Sequence, residues 1–202
     1  MPDRAVASGV HEVKELGPAL AASLARLSAD GRVELEEPLP LAHWNRPTSQ
    51  VDLVLYSRSG DIDLVAELKA WDIGHQLFDL AKVSCLLMSG VRAAFLVCVA
   101  RRAGDFDRVP GGELFLALGG QMREHDFIDL IARHRREWQH HVGRRRPEPT
   151  SIPMRLTTTS VVASVELEAY PGHSARAVEV AVTDATPIPL TDGWPEGVTP
   201  PS

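Results

Sequence analysis

Apolar and polar residues alternate along two neighbouring segments in the first half of the chain. These segments are VDLVLYS (residues 51–57) and IDLVAELKA (residues 62–70). Alternation with a period of two is typical of β-strands that pack one face on a core. The four residues between the segments, RSGD, are a suitable length for a tight connection. The pattern therefore predicts an antiparallel hairpin.

Hydrophobic spacing also predicts the elements around this hairpin. Apolar residues at helical spacing predict three helices, over residues 10–29, 73–89 and 122–141. Strands are predicted over residues 32–36, 91–100 and 113–118, and a second hairpin is predicted from residues 154–168 and 175–183. Val91–Ala100 is apolar on both faces, as expected for a buried central strand. This order predicts an α/β protein with a mixed β-sheet flanked by helices.

The same patterns suggest how the chain is divided. We expect one main domain over residues 1–145, followed by a C-terminal β-hairpin extension, residues 146–185, packed on it. From Thr186 onward the sequence is rich in proline, glycine and threonine. Such a composition offers few apolar anchors, so residues 186–202 are predicted to form a disordered tail.

Composition and charge narrow the classes of function. The chain has 202 residues and a formal net charge of −6, which argues against nucleic-acid binding through its whole surface, although short arginine clusters interrupt the acidic sequence. We expect no signal peptide, because the first residues include no apolar core, and no membrane partner, because Val91–Ala100 is only half of the ~20 residues a spanning helix needs. Cys85 and Cys98 lie in apolar segments and are expected to be buried free thiols. A cytoplasmic protein is therefore predicted.

The register of the hairpin brings charged residues together. With a four-residue turn, one face is apolar and consists of three cross-strand pairs: Leu55 with Leu64, Leu53 with Ala66, and Val51 with Leu68. The other face pairs Tyr56 with Asp63, Val54 with Val65, and Asp52 with Glu67. Lys69 follows Glu67 on this second face. Two facing carboxylates repel each other unless a cation neutralises them, and that cation is either Lys69 or a bound divalent metal.

The order of these residues resembles that of a known group of enzymes. A helix, a hairpin bearing an Asp, the sequence Glu-x-Lys, a second helix and a buried strand together resemble the PD-(D/E)xK nuclease superfamily, which has the restriction-endonuclease-like fold. The matching residues are Asp52 and Glu67-Leu68-Lys69, and the resemblance covers residues 10–100. Val51 stands where the proline of the family motif would precede the Asp.

The resemblance implies a function and a set of site residues. It implies a metal-dependent nuclease that hydrolyses phosphodiester bonds, with DNA as the expected substrate and defence or repair as the expected role. Mg²⁺, or Mn²⁺ in its place, would be held by Asp52, Glu67 and the backbone carbonyl of Leu68. Lys69 would position the attacking water, and Gln76 would join the catalytic residues from the following helix. An acidic residue of the first helix, Glu12 or Glu15, is a further candidate.

Two other interpretations stay open at this point. The first is a nuclease-fold module that binds a protein or nucleic-acid partner without cutting, for which the acidic charge and the small size are suitable. The second is an unrelated α/β protein in which Glu67 and Lys69 form an exposed ion-pair patch and Asp52 is solvated. A homodimer or a protein partner is compatible with each interpretation.

Overall fold

The computed structural model of the protein describes residues 16–27, 31–45, 48–70, 76–100, 112–115, 122–142, 149–161 and 174–201. The helices are α1 (Gly17–Leu27), α2 (Gln76–Met88), α3 (Phe127–Arg133) and α4 (Arg135–Val142). The strands are β1 (Arg32–Pro40), β2 (Thr48–Tyr56), β3 (Ile62–Ala70), β4 (Ala93–Ala100), β5 (Met122–Asp126), β6 (Ser151–Val161), β7 (Ser174–Thr191) and β8 (Trp194–Pro195).

A single mixed sheet organises these elements. The strand order is β1-β2-β3-β4-β7-β6-β5, with β8 paired to β7. Only the β3–β4 pair is parallel among the recorded pairs, and α2 forms the connection between those two strands. A parallel pair needs such a crossover, which places the helix against one face of the sheet. The prediction of an α/β protein with a helix-flanked mixed sheet is confirmed.

The predicted hairpin lies near the middle of this sheet and is buried on both faces. One face contacts α1 through a small cluster of buried apolar residues: Leu16, Leu53, Ala66, Leu68 and Val99. The other face belongs to the larger core, where Val54 and Val65 pack with Leu77, Leu80 and Ala81 of α2. Because successive side chains of a strand alternate between faces, Asp52, Glu67 and Lys69 all lie on the α2 face.

The edge strand β1 is longer than predicted. The strand predicted over residues 32–36 continues to Pro40, and both Pro38 and Pro40 pair with β2. Among the described strands, β1 is the first of the sheet and has β2 alone as a neighbour. A proline on an edge strand can turn its missing N–H donor away from the ladder. The prolines therefore protect the sheet edge without ending the strand.

Two predicted elements differ in type from the observed ones. The helix predicted over residues 122–141 begins only at Phe127, because Met122–Asp126 pairs with β6 as strand β5. Asp126 caps α3 by accepting hydrogen bonds from the backbone N–H groups of Ile128 and Asp129. The strand predicted over residues 113–118 overlaps a short 3₁₀ helix, Gly112–Phe115, and its remaining residues lie outside the described part of the chain.

The C-terminal hairpin is part of the central sheet and not an attachment to it. β6 and β7 pair as predicted, but β7 also pairs with β4 along seven residues of each strand. The segment from Thr186, which was predicted to be disordered, continues β7 to Thr191 and then forms β8. The buried Trp138 anchors it, since its indole Nε1 donates a hydrogen bond of 2.8 Å to the Gly193 carbonyl. A partner distant in sequence thus orders this segment.

Two expectations drawn from composition can be compared with the fold. Cys85 and Cys98 are both free and buried, as predicted. Across the described ranges, no helix has the length and apolar character needed to cross a membrane.

Candidate functional site

The two strands of the hairpin separate where their charged residues begin. Among the described residues of both strands, the β2–β3 pairing runs from Tyr56 opposite Ile62 to Leu53 opposite Ala66, with a bulge beside Tyr56. Three predicted pairs are therefore confirmed, whereas the predicted pair of Tyr56 with Asp63 is wrong because of the bulge. The predicted pairs of Asp52 with Glu67 and of Val51 with Leu68 do not form either, because the ladder ends at Leu53 and Ala66. The next residues in register are Asp52 and Glu67, and there the side chains replace the backbone ladder.

Side chains satisfy backbone groups at the separation. The Leu68 backbone N–H donates a 2.7 Å hydrogen bond to Asp52 Oδ2. The Gln50 carbonyl accepts a 2.9 Å hydrogen bond from Lys82 Nζ, which comes from α2. Backbone groups inside a protein need such partners, because an unpaired buried donor or acceptor destabilises the fold. Asp52 and Lys82 therefore supply hydrogen-bond partners where the β2–β3 ladder ends.

Glu67 is the most deeply placed acidic residue at this separation. Its side chain is 2% exposed, and its Oε2 atom lies 2.7 Å from Lys82 Nζ, itself on a side chain 9% exposed. The other carboxylate oxygen of Glu67, Oε1, is buried and has no hydrogen-bond partner. A solvated ion-pair patch, one of the interpretations of the sequence, is excluded for Glu67 by this burial.

A second acidic residue from α2 completes the group. Asp79 is buried, and its Oδ2 atom lies 3.5 Å from Lys69 Nζ, an ion pair at the long limit of hydrogen-bond distance. Asp79 Oδ2 has no hydrogen-bond partner by geometry. We refer to Asp52, Glu67, Lys69, Asp79 and Lys82 as the charged cluster. If all five are ionised, the charged cluster contains three negative and two positive charges.

Burial changes the protonation of this cluster. The pKa of Glu67 is raised to about 8, mainly because burial disfavours the charged carboxylate and also because Asp79 and Asp52 are negative neighbours, while Lys82 acts in the opposite direction. Burial likewise raises the pKa of Asp79, and Lys69 and Lys82 partly offset that effect. Because Asp52 contributes to both shifts, the three carboxyl groups interact electrostatically. Strongly shifted carboxyl groups are typical of functional sites and of buried ion-pair networks alike.

The donor chemistry of the charged cluster suits a hard divalent cation. Glu67 Oε1 and Asp79 Oδ2 are buried carboxylate oxygens without hydrogen bonds, and carboxylate oxygens are the ligands that Mg²⁺ and Mn²⁺ prefer. Within the described ranges, however, no three His, Cys, Asp or Glu side chains are already arranged to hold a metal ion. Lys82 Nζ contacts one oxygen of Glu67. A metal ion at the charged cluster would therefore need a side-chain rearrangement in which Lys82 leaves Glu67.

The structure assembles part of the residue set predicted from sequence. Asp52, Glu67 and Lys69 belong to one cluster on one sheet face. Leu68 contributes its N–H to Asp52, and its carbonyl stays a predicted ligand. Gln76 is the first residue of α2, one helical turn before Asp79; it is buried, and its Nε2 atom has no hydrogen-bond partner. Glu12 and Glu15 lie outside the described residues.

Sequence reasoning missed Asp79 and Lys82. Both lie in the FDLAKVSCLL stretch of α2, in which ten of the thirteen helix residues are buried. Charged residues are almost never fully buried unless they are paired. The available signal was therefore a pair of charges three positions apart in an apolar helix that follows Glu-x-Lys. Residues at that spacing share a helix face.

A further basic residue lies in the same row of the sheet as Lys69. Lys69 pairs in register with Cys98 of β4, and Cys98 pairs with Arg176 of β7. Residues paired in register point to the same face, and two strand spacings separate the backbones of Lys69 and Arg176 by about 10 Å. Arg176 Nη1 donates a 2.9 Å hydrogen bond to the Phe115 carbonyl, which orients the guanidinium group.

Comparisons with known proteins identify no relative. A scan against protein-family models, a search of curated proteins and a search of solved structures each found no match to this chain.

Proposed function

We propose that this protein is a metal-dependent nuclease that hydrolyses phosphodiester bonds, with DNA as the expected substrate. The observation that carries the proposal is the pair of buried carboxylate oxygens without hydrogen bonds, Glu67 Oε1 and Asp79 Oδ2, beside Asp52 and Lys69. Buried acceptors of this kind are costly unless a ligand binds them. The similarity of the Asp52 and Glu67-Leu68-Lys69 sequence to the PD-(D/E)xK motif supports the same function.

Each residue of the charged cluster has a role in this proposal. Asp52, Glu67 and Asp79 would hold Mg²⁺ or Mn²⁺, with the Leu68 carbonyl as a further candidate ligand. When bound, such a cation supplies an activated water and stabilises negative charge on the phosphoryl oxygens. Lys69 is 21% exposed and lies at the Asp79 side of the cluster, so its ammonium group can donate a hydrogen bond that positions the attacking water. Gln76 would orient the same water from the start of α2.

The row of Lys69 and Arg176 supports a nucleic-acid substrate. Both residues carry a positive charge on the α2 face of the sheet, and Arg176 belongs to β7, an interior strand. Arginine and lysine side chains bind phosphate oxygens, and such contacts position a nucleic acid without reading its sequence. A phosphate next to the scissile one would therefore contact Arg176.

The proposal is tested by metal binding and cleavage in the same set of proteins. Calorimetry with Mg²⁺ and Mn²⁺ would compare the native protein with Asp52→Ala and Glu67→Gln, and cleavage would be followed on single- and double-stranded DNA and on RNA. We expect both variants to lose metal binding and cleavage, whereas Lys69→Ala keeps metal binding and loses cleavage. Asp63→Asn is the matched control: it removes a carboxylate from the same face of β3, with an exposed ion pair. Absence of metal binding by the native protein would refute the proposal.

One observation favours a second candidate, a nuclease-fold module that binds a partner without cutting. Lys82 already neutralises Glu67 at 2.7 Å in a buried position, as a permanently metal-free cluster would require. For this candidate, metal would neither bind nor change the melting temperature, and cleavage would be absent. Retention of DNA or RNA binding in the metal-free protein, with loss on Arg176→Gln, would then distinguish a binding module from a protein of unrelated function.

A further inference from the structure

Lys82 has an unusual position for a lysine. Its ammonium group links three elements, since it belongs to α2, donates to the Gln50 carbonyl of β2 at 2.9 Å and contacts Glu67 of β3 at 2.7 Å. Lysine is the residue type that most often keeps its charged end in water. Here the whole residue is only 8% exposed. Its charged group therefore lies inside the charged cluster and not in water.

The choice of lysine at this position is itself informative. Lysine occurs three times in the chain, at Lys14, Lys69 and Lys82, and the other eighteen of the 21 Lys and Arg residues are arginine. Two of the three lysines therefore belong to the charged cluster. An ammonium group is a compact point charge on a flexible stem, whereas a guanidinium group is planar and binds two carboxylate oxygens at once. A lysine can leave a carboxylate by rotating its stem.

We infer that Lys82 is an internal counter-ion that occupies the Glu67 carboxylate in the absence of metal and must release it when a divalent cation binds. This inference depends on the proposed function and adds how its metal site is regulated. Two positive charges cannot share one carboxylate oxygen at contact distance without strong repulsion in a buried site. The metal therefore binds in competition with Lys82, and its apparent affinity is lower than the carboxylate ligands alone would give.

Release of Lys82 from Glu67 also affects its contact with β2. The same ammonium group donates a hydrogen bond to the Gln50 carbonyl. When Lys82 leaves Glu67, it can either keep this hydrogen bond or lose both contacts. Keeping that contact moves the ammonium group toward β2 and away from the metal. Because losing both contacts would leave the Gln50 carbonyl without its partner, we expect Lys82 to keep this contact in the metal-bound form.

Metal affinity of neutral variants tests the competition directly. Lys82→Met removes the charge, and Lys82→Gln removes it while keeping a hydrogen-bond donor, which guards against loss of folding. Calorimetry and thermal melts with Mn²⁺, against melts in chelator, are the readouts. We expect both variants to bind Mn²⁺ at least about tenfold more tightly than the native protein, because a nearby positive charge has been removed. Mn²⁺ should also raise their melting temperatures more than that of the native protein. Arg92→Gln, which removes an exposed positive charge from an ion pair on the same strand face, should bind like the native protein.

The native protein offers a second readout. Lysine labelled with ¹³C at Cε gives three signals, and the signal absent in Lys82→Arg belongs to Lys82. Addition of Mg²⁺ should shift this signal as the ammonium group leaves Glu67. An unshifted Lys82 signal in protein that binds Mg²⁺ would overturn the inference.

The possible outcomes separate the inference from the proposed function. Metal binding by the native protein with equal or weaker binding by both Lys82 variants would overturn the competition and leave the nuclease proposal standing. Binding by the variants alone would show that Lys82 blocks the site, and it would refute the metal-dependent function proposed for the native protein. Absence of Mn²⁺ binding by all four proteins would refute the proposed function and the inference with it.

Discussion

Asp63 and Glu67 lie four residues apart on the same face of β3, and each pairs with a cation from another element. Asp63 Oδ1 lies 3.0 Å from Arg92 Nη1, and the two side chains are 32% and 68% exposed. Glu67 Oε2 lies 2.7 Å from Lys82 Nζ, with exposures of 2% and 9%. The same chemistry is therefore present at two positions of one strand, one in water and the other in the core.

The comparison shows that burial, and not the presence of an ion pair, distinguishes a candidate site from an ordinary surface. In an exposed pair, water can replace either partner at little cost, so the pair contributes only about 0–1 kcal/mol to the free energy of unfolding. A buried pair loses hydration that its mutual attraction need not recover. Such a pair is weak evidence for stability, so stability alone does not explain the burial of the charged cluster.

The largest difference is expected when the cation of each pair is removed. Lys82→Met should lower the free energy of unfolding by about 3–5 kcal/mol at pH 9, because Glu67 loses its positive partner and must either stay ionised in the core or take up a proton against the high pH. Arg92→Met should lower it by about 0.5 kcal/mol or less, because Asp63 stays hydrated. Urea denaturation of both variants measures these changes. Similar small losses for the two variants would show that the two pairs are equivalent after all.

The pH dependence of stability should also differ between the two carboxylates. Glu67 has a pKa of about 8 in the folded protein against an ordinary value of 4.5, so between these pH values the folded state holds a proton that the unfolded state releases. Stability from this group is therefore full below pH 4.5 and is lost as pH rises to about 8, by at most about 1.4 kcal/mol per pH unit. Asp79, whose pKa is also raised, acts in the same direction.

Denaturation of the native protein, Glu67→Gln and Asp63→Asn over this range measures the difference. Glu67→Gln should reduce the slope, because an amide does not titrate. Asp63→Asn should leave it unchanged. A native slope that survives in Glu67→Gln would assign the proton to another group of the charged cluster.

Removal of Asp52 should have an intermediate effect. The Leu68 backbone N–H donates to Asp52 Oδ2 at 2.7 Å, so Asp52→Ala leaves this donor without its partner and should cost about 1–3 kcal/mol. The variant also loses the repulsion of Asp52 with Glu67 and Asp79. Alone, this relief would make the variant at least as stable as the native protein, but it offsets only part of the loss. Asp52→Asn is the control, because its amide oxygen can still accept the hydrogen bond. Equal melting temperatures of Asp52→Ala and Asp52→Asn would contradict the role of Asp52 as the acceptor for the Leu68 N–H.

The hairpin and its charged face could be predicted because strand alternation is a local property. Once residues 51–57 and 62–70 are strands, the period of two places Asp52, Glu67 and Lys69 on one face. The separation of the strands at Asp52 could not be deduced in this way. It depends on Lys82, which reaches Gln50 from 32 residues away in the chain.

Elements fixed by distant partners were the ones that the sequence misrepresented. Met122–Asp126 continues the polar pattern of the following helix, and only its pairing with β6 makes it a strand. The segment after Thr186 has the composition of a disordered tail, yet β6 and Trp138 order it. Asp79 and Lys82 were missed because the face of α2 that contacts the sheet depends on the crossover from β3 to β4.

The smallest expected effect is the coupling energy between Asp63 and Arg92, and its value calibrates the comparison. A double-mutant cycle of Asp63→Asn and Arg92→Gln should give less than about 0.5 kcal/mol at low salt. This coupling should vanish near 1 M salt, where the screening length is about 3 Å. The corresponding cycle of Glu67→Gln and Lys82→Met should give a larger coupling at pH 9 that salt hardly changes, since ions do not enter the core. Equal salt sensitivity of the two couplings would mean that Glu67 and Lys82 are as hydrated in solution as the pair at the hairpin turn.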